Sequence, residues 1–133
     1  ERYAPGSEQR QRLERGLAAP TLWDAVLRHL AAQGVPIPKS QLERDVTRPV
    51  ESTPEVRRAL VDVYRHNPGL AGLCERLVDL DEGIMEWRYR HVKMVQRTIG
   101  TKMGTGGSAG AEYLMTTLNQ PLFPDLWAIR SEL

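Results

Sequence analysis

The chain has 133 residues, and its 18 Lys and Arg against 17 Asp and Glu leave a formal charge of +1 spread without a basic block or an acidic tail. That is enough chain for one domain with a buried core, and too even a charge balance to point to nucleic acid. A single cysteine, Cys74, excludes an internal disulfide and fits a reducing, cytoplasmic setting, while no apolar run approaches the ~18 residues of a membrane span. The first residue is Glu1 and no signal-peptide pattern accompanies it, so the sequence reads as a piece of a longer protein.

Residues 1–16 are polar and carry Pro5, Gly6 and four arginines, a loop leading into a solvated stretch with room for a helix and little to offer a core. Thr21 stands where an N-cap belongs, with Asp24 three residues on, and Leu22, Val26, Leu27 and Leu30 form an apolar stripe that ends before Gly34. Two prolines in residues 35–38 break the pattern. Ser40 followed by Glu43 has the S-x-x-E form of a capping box, which predicts a short helix, and residues 48–53 predict a loop. Thr53 then caps a helix opening with Pro54, where the missing N–H costs least; Val56, Leu60, Val63 and Tyr64 are its buried side, and it stops at Asn67-Pro68.

The longest element is expected over residues 74–99, with Gly100 as its C-terminal cap. Asp79, Asp81 and Glu82 lie nearer its start and Lys93 and Arg97 near its end, a rough match to the helix dipole. Its stripe runs Leu77, Leu80, Ile84, Trp87, His91, Met94, Thr98 in steps of three or four, so His91 stands at a core position. Such a helix is about 39 Å long, against roughly 36 Å across a compact domain of this length. Part of its apolar face therefore needs a cover from outside the chain. A Gly-rich loop over residues 104–110 follows, then a helix through Tyr113, Leu114 and Leu118, a turn at residues 121–124, and an amphipathic helix with Leu126, Trp127 and Ile129. No segment alternates as a strand does, and the expected fold class is all-α.

The loop Gly104-Thr105-Gly106-Gly107-Ser108-Ala109-Gly110 satisfies the relaxed G-x-G-x-x-A letters of a dinucleotide fingerprint. It follows a helix rather than a strand, and no Lys-Ser or Lys-Thr closes it, so neither a dinucleotide site nor a P-loop is expected. Such a loop can approach a ligand without Cβ interference and can present backbone N–H groups with the Thr105 hydroxyl; it can equally be a plain linker between helices.

His91 is either a hydrogen-bonded core residue, the commoner case for a histidine on an apolar stripe, or a ligand. His29 and His66 sit near the ends of other helices, no H-E-x-x-H occurs, and one cysteine makes no zinc spacing. A single histidine with no second ligand in reach is what five-coordinate haem needs. Trp87, Tyr89 and Met94 suit a flat cofactor or an ordinary core, and Arg88, Arg90, Lys93 and Arg97 suit haem propionates or a solvated helix face. Cys74 has no activating neighbour in sequence and reads as an inert core thiol.

The run Trp87-Arg88-Tyr89-Arg90-His91-Val92-Lys93-Met94-Val95-Gln96-Arg97-Thr98-Ile99-Gly100, followed by the glycine loop and Tyr113-Leu114, resembles the C-terminal signature of tryptophan 2,3-dioxygenases. Weaker similarity runs from Arg2-Tyr3-Ala4-Pro5-Gly6 to Leu122-Phe123-Pro124-Asp125-Leu126-Trp127. The resemblance implies that residues 1–133 are the C-terminal half of an all-helical, homotetrameric, cytoplasmic enzyme using haem b. Its implied reaction inserts both atoms of O2 into the indole C2–C3 bond of L-tryptophan, giving N-formylkynurenine. Carried over residue by residue, the proximal haem ligand falls on His91 and a contact to the amino-acid end of the substrate falls on Thr105, within a mobile loop that closes over substrate. The family's distal histidine, its substrate-holding arginine and tyrosine, and its aromatic wall belong to an N-terminal half with no match in this chain. Ala111 and Glu112 depart from the family pattern, which leaves another aromatic amino acid as an alternative substrate. A haem-free helical interaction domain is the alternative of a different class.

Overall fold

The structure, a computed structural model, describes residues 3–104 and 110–133. Among them every regular element is a helix and there is no strand, as the spacing predicts: α1 (Glu8–Leu17), α2 (Leu22–Ala32), α3 (Lys39–Leu42), α4 (Pro54–His66), α5 (Pro68–Ile99), α6 (Ala111–Thr116) and α7 (Pro124–Ala128), closed by a 3-10 turn at Ile129–Glu132. None of the described helices is long and apolar enough to cross a membrane. The chain divides into two compact units, residues 1–74 with 123–133 and residues 75–122.

The first unit is built on capped helices. Ser7 opens α1 by accepting from the Arg10 N–H at 3.2 Å, and α1 buries none of its residues, which agrees with its polar sequence. Thr21 and Asp24 make the full reciprocal box: Thr21 Oγ1 accepts from the Asp24 N–H at 3.2 Å and Asp24 Oδ2 accepts from the Thr21 N–H at 2.7 Å. The stripe of α2 starts one residue later than its leucines suggest. Trp23 is buried and Leu22 is half exposed, because Trp23 meets Phe123 with ring centroids 5.6 Å apart.

The box expected at Ser40 does not form. Helix α3 begins at Lys39, Pro38 holds the cap position, and no side chain caps it. Arg44 fastens this region instead, its Nε 2.6 Å from Asp24 Oδ1 and its Nη2 2.8 Å from Asp24 Oδ2, while its Nη1 donates to the Asp45 and Arg48 carbonyls. Burial pushes the Asp24 carboxyl up, but the bonds from Arg44 and Thr21 outweigh it and hold the group below its ordinary value.

Thr53 caps α4 at the Val56 N–H with Pro54 in the first turn, as its sequence predicts, and Val56, Ala59, Leu60 and Val63 are buried. The chain's last segment completes this core with Phe123, Leu126 and Ile129, all but fully buried. Asp125 pins that segment to the start of α4: its Oδ1 accepts from Ser52 Oγ at 2.6 Å and from the Thr53 N–H at 3.1 Å. Burial raises the Asp125 carboxyl, and the Ser52 and Thr53 bonds offset this only in part.

Helix α5 starts at Pro68, earlier than the expected residue 74, and at 32 residues it is about 48 Å long. Asn67 begins it by accepting from the Leu70 N–H through Oδ1 at 3.1 Å, and Pro68 takes a first-turn position where no N–H is needed. Gly69 and Gly72, poor helix formers, hide this turn from a reading by propensity.

The second unit comprises the rest of α5 and the chain to residue 122. Asp81 is not a dipole charge, as its place in the sequence suggests, but fully buried, accepting from the Leu122 N–H at 3.0 Å. One heptad on, Arg88 Nη1 donates to the carbonyls of Thr117, at 3.1 Å, and Gln120. Helix α6 ends at Thr116, short of the expected Leu118, because the Thr116 and Thr117 hydroxyls take the Tyr113 and Leu114 carbonyls at 2.6 and 2.8 Å.

Candidate functional site

The second half of α5 carries the residues of interest. Of the expected stripe, Leu77 is buried, but Leu80, Trp87 and Met94 are exposed, Trp87 by 62% of its surface. Val92, off the stripe, is buried. His91 is therefore no core histidine: it is half-buried on an open face, and its ring nitrogens form no hydrogen bond with any described residue. Among the described residues its ring contact is with Trp87, a turn earlier, where the two rings stack with centroids 4.9 Å apart and planes within 6°.

The cations around it do not act as a set. Arg88 turns away to the carbonyls after α6, and Arg90 pairs with Glu86 at 2.9 Å. Lys93 lies 5.6 Å over the Tyr89 ring and within 3.3 Å of Gln96 Oε1. A groove of about 510 Å³ runs along this helix face between Tyr89, Arg90, Lys93, Met94, Arg97 and Thr98, so the aromatic and basic candidates are partly brought together at the surface.

Helix α5 ends where its sequence predicts. Gly100 has φ +59° and its N–H reaches the Gln96 carbonyl at 3.0 Å, an ending that only glycine makes without strain. The far stem of the glycine loop, Gly110, has φ +62°, and a Cβ there would lie 2.8 Å from the Lys102 carbonyl oxygen and 3.4 Å from the Gly104 nitrogen. The two stems thus meet backbone to backbone, and any larger residue at 110 would force them apart. Thr105 and the other residues of 105–109 lie outside the described residues. Beside the stems, a pocket of about 460 Å³ is lined by Gln96, Gly100, Thr101, Ala111, Glu112 and Met115.

Elsewhere, His66 Nδ1 sits 3.0 Å from Asp62 Oδ1 on an exposed surface, and Cys74 is a buried thiol in no disulfide. Among the described residues no three His, Cys, Asp or Glu side chains come together as a metal cluster. Sequence reasoning singled out His91 and the loop as candidates, but missed the Trp87 stack, the Arg88 and Asp81 ties and the Gly110 close approach. For the stack alone there was a signal, the spacing of four between two planar side chains.

The tryptophan 2,3-dioxygenase family matches residues 63–133, which include α5, the glycine loop and α7. The tryptophan 2,3-dioxygenase of Herpetosiphon aurantiacus is 56% identical over 123 residues, 92% of this chain and 47% of that protein. That of Anaeromyxobacter sp. strain K is 54% identical, and that of Bacillus thuringiensis strain Al Hakam 42%, each over 98% of this chain. The chain spans about half the length of these relatives. With more than half of its residues matched, the chain belongs to the tryptophan 2,3-dioxygenase family.

Proposed function

We propose that this chain forms the proximal side of a haem-dependent dioxygenase acting on L-tryptophan, with His91 as the axial ligand to the iron of haem b. The observation that carries this reading is the state of His91: an accessible imidazole, without a hydrogen bond from the described residues, on an exposed strip with Trp87 and Met94. A half-buried imidazole on an exposed helix face that also carries Met94 is the kind of group that would hold the iron of a haem. Arg97, and Arg90 and Lys93 once released from their exposed contacts with Glu86 and Gln96, are the cations along the neighbouring groove suited to carboxylate groups of such a ligand. Arg88 is not, being engaged at Thr117 and Gln120.

The haem, when bound, supplies the oxygen chemistry, in which both atoms of O2 enter the indole C2–C3 bond to give N-formylkynurenine. The chain's own part is to bind and to enclose. Thr105 contacts the amino-acid end of the substrate, and the glycine loop closes over it and excludes water; the joined stems at Gly104 and Gly110 fix where that loop leaves and returns. The remaining half of the relatives' length is proposed to supply the distal face and the aromatic wall, in a cytoplasmic homotetramer. Exposed Trp87, Tyr89, Met94, Met103 and Tyr113 favour such a cover.

Two measurements test this. The purified complete protein is expected to show a Soret band; its absence would favour a haem-free helical interaction domain, for which the same exposed face is the argument. Thr105→Ala should keep the haem and lower kcat/KM for L-tryptophan by about two- to tenfold, the value of one neutral hydrogen bond, and more if the contact is charge-assisted. Unchanged kinetics would remove Thr105 from the substrate site.

A further inference from the structure

An axial histidine has to present one nitrogen in a fixed direction, and its two side-chain torsions leave the ring free to turn. The usual restraint is a hydrogen bond from the other ring nitrogen to a carboxylate or a carbonyl. Among the described residues His91 has no such partner. Its restraint is the Trp87 indole, parallel within 6° at a centroid distance of 4.9 Å, an offset stack rather than a chance edge contact.

Helix geometry explains how the pair forms. A side chain in a helix leans toward the N-terminus, so residue 91 lies over the turn that carries residue 87. The neighbours that could disturb the pair are engaged elsewhere: Arg88 with the Thr117 and Gln120 carbonyls, Arg90 with Glu86, Lys93 with Tyr89 and Gln96. Trp87 does not serve the core of this chain either, since 62% of it is exposed.

We infer that Trp87 is a positioning residue for His91, its indole face holding the imidazole in the rotation in which it meets the iron. The inference rests on the axial role of His91 given above. Trp87 touches neither dioxygen nor the reacting carbons; it acts through the ring it stacks on. Removing the indole should free the imidazole to rotate, weaken the iron–nitrogen bond and shift the electronic state of the iron.

The test uses the complete haem-loaded protein, with Trp87→Leu to remove the stacking plane, Trp87→Phe to keep a plane, and His91→Ala as the control. Three quantities are read: the iron–histidine stretching band of the ferrous protein by resonance Raman, the midpoint potential of the iron, and the rate of haem transfer to excess apomyoglobin. Trp87→Leu is expected to shift and broaden the band, move the potential, and speed haem loss about two- to tenfold, the factor one aromatic stack is worth. Trp87→Phe should return all three most of the way. A change in subunit assembly without a change in the band or the potential would make Trp87 an interface residue and overturn the inference, as would a wild-type band, potential and transfer rate in Trp87→Leu. If Trp87→Leu does not assemble, Trp87→Met takes its place as the variant without a plane: a shifted and broadened band supports the stack, and a wild-type band, potential and transfer rate overturn it. The control separates the two ideas. Loss of the band in His91→Ala with no effect at Trp87 defeats only the stacking role, whereas a band that survives His91→Ala defeats the axial reading itself.

Discussion

His91→Ala in the complete protein is expected to abolish oxygenation of L-tryptophan and to cut haem occupancy at least roughly tenfold. The substitution removes the axial ligand proposed for this chain, and each factor of ten in retention corresponds to ~1.4 kcal/mol of lost binding. Nothing in the fold obstructs it. His91 is half-buried, bonds to no described residue, and gives way to a better helix former inside α5, so helix content should be unchanged. The phenotype is thus predicted to be chemical rather than structural, which far-UV circular dichroism alongside the haem stain checks. Retention of normal turnover by this variant would remove His91 from the mechanism.

A second large effect lies away from the haem side, at the Asp24–Arg44 pair of the first unit. The two side chains are 4% and 12% exposed and make a two-pronged contact, and the Asp24 carboxylate also holds the Thr21 cap. Arg44→Met keeps the length and packing of the side chain but leaves a buried carboxylate without its countercharge, an arrangement that costs about 3–5 kcal/mol. The effect should depend on pH with a definite sign. Because the Asp24 carboxyl of the native protein is held below its ordinary value, the pair stabilises the fold at neutral pH and is lost as acid protonates it in the folded state. In Arg44→Met the guanidinium's share of that restraint is gone and only the Thr21 bonds still oppose burial, so the deficit is largest at pH 7 and shrinks as the pH falls toward the ordinary aspartate range. Denaturant midpoints at pH 7 and pH 4.5 measure both. A deficit below ~0.5 kcal/mol at pH 7 would show the pair to be a surface contact in energetic terms.

Much of this was legible in the residues, and the exceptions have physical causes. Thr21 with Asp24, Thr53 before Pro54, and Gly100 carry their local geometry with them, since a cap is settled by a side chain and the three residues beside it. Ser40 and Glu43 have the same letters and fail, because Pro38 and Lys39 start the helix before Ser40 can cap it. Asp24 was readable as a cap partner but not as the anchor of Arg44, which comes from 20 residues away. Long-range pairing leaves no local trace. The same holds for Asp81, whose place near the start of the helix suggested a charge matched to the dipole and whose carboxylate accepts from the Leu122 N–H, 41 residues on.

At the site, apolar periodicity placed His91 on a stripe with Trp87 and Met94, and the overlong helix implied that part of that stripe is not covered by this chain. The structure agrees on the exposed face and adds what periodicity cannot express, the parallel orientation of two rings. Gly110 is the complementary case: its sequence marks a glycine-rich loop, while the need for glycine at that position comes from a carbonyl eight residues earlier.

The axial assignment is tested most directly by the resonance Raman spectrum of the ferrous complete protein beside that of His91→Ala reconstituted with haem. An iron–histidine stretching band is expected in the wild type, with its loss in the variant and its return when free imidazole is added to the variant. A variant spectrum that keeps the wild-type band without imidazole would contradict the assignment of His91 and the proximal role of this chain.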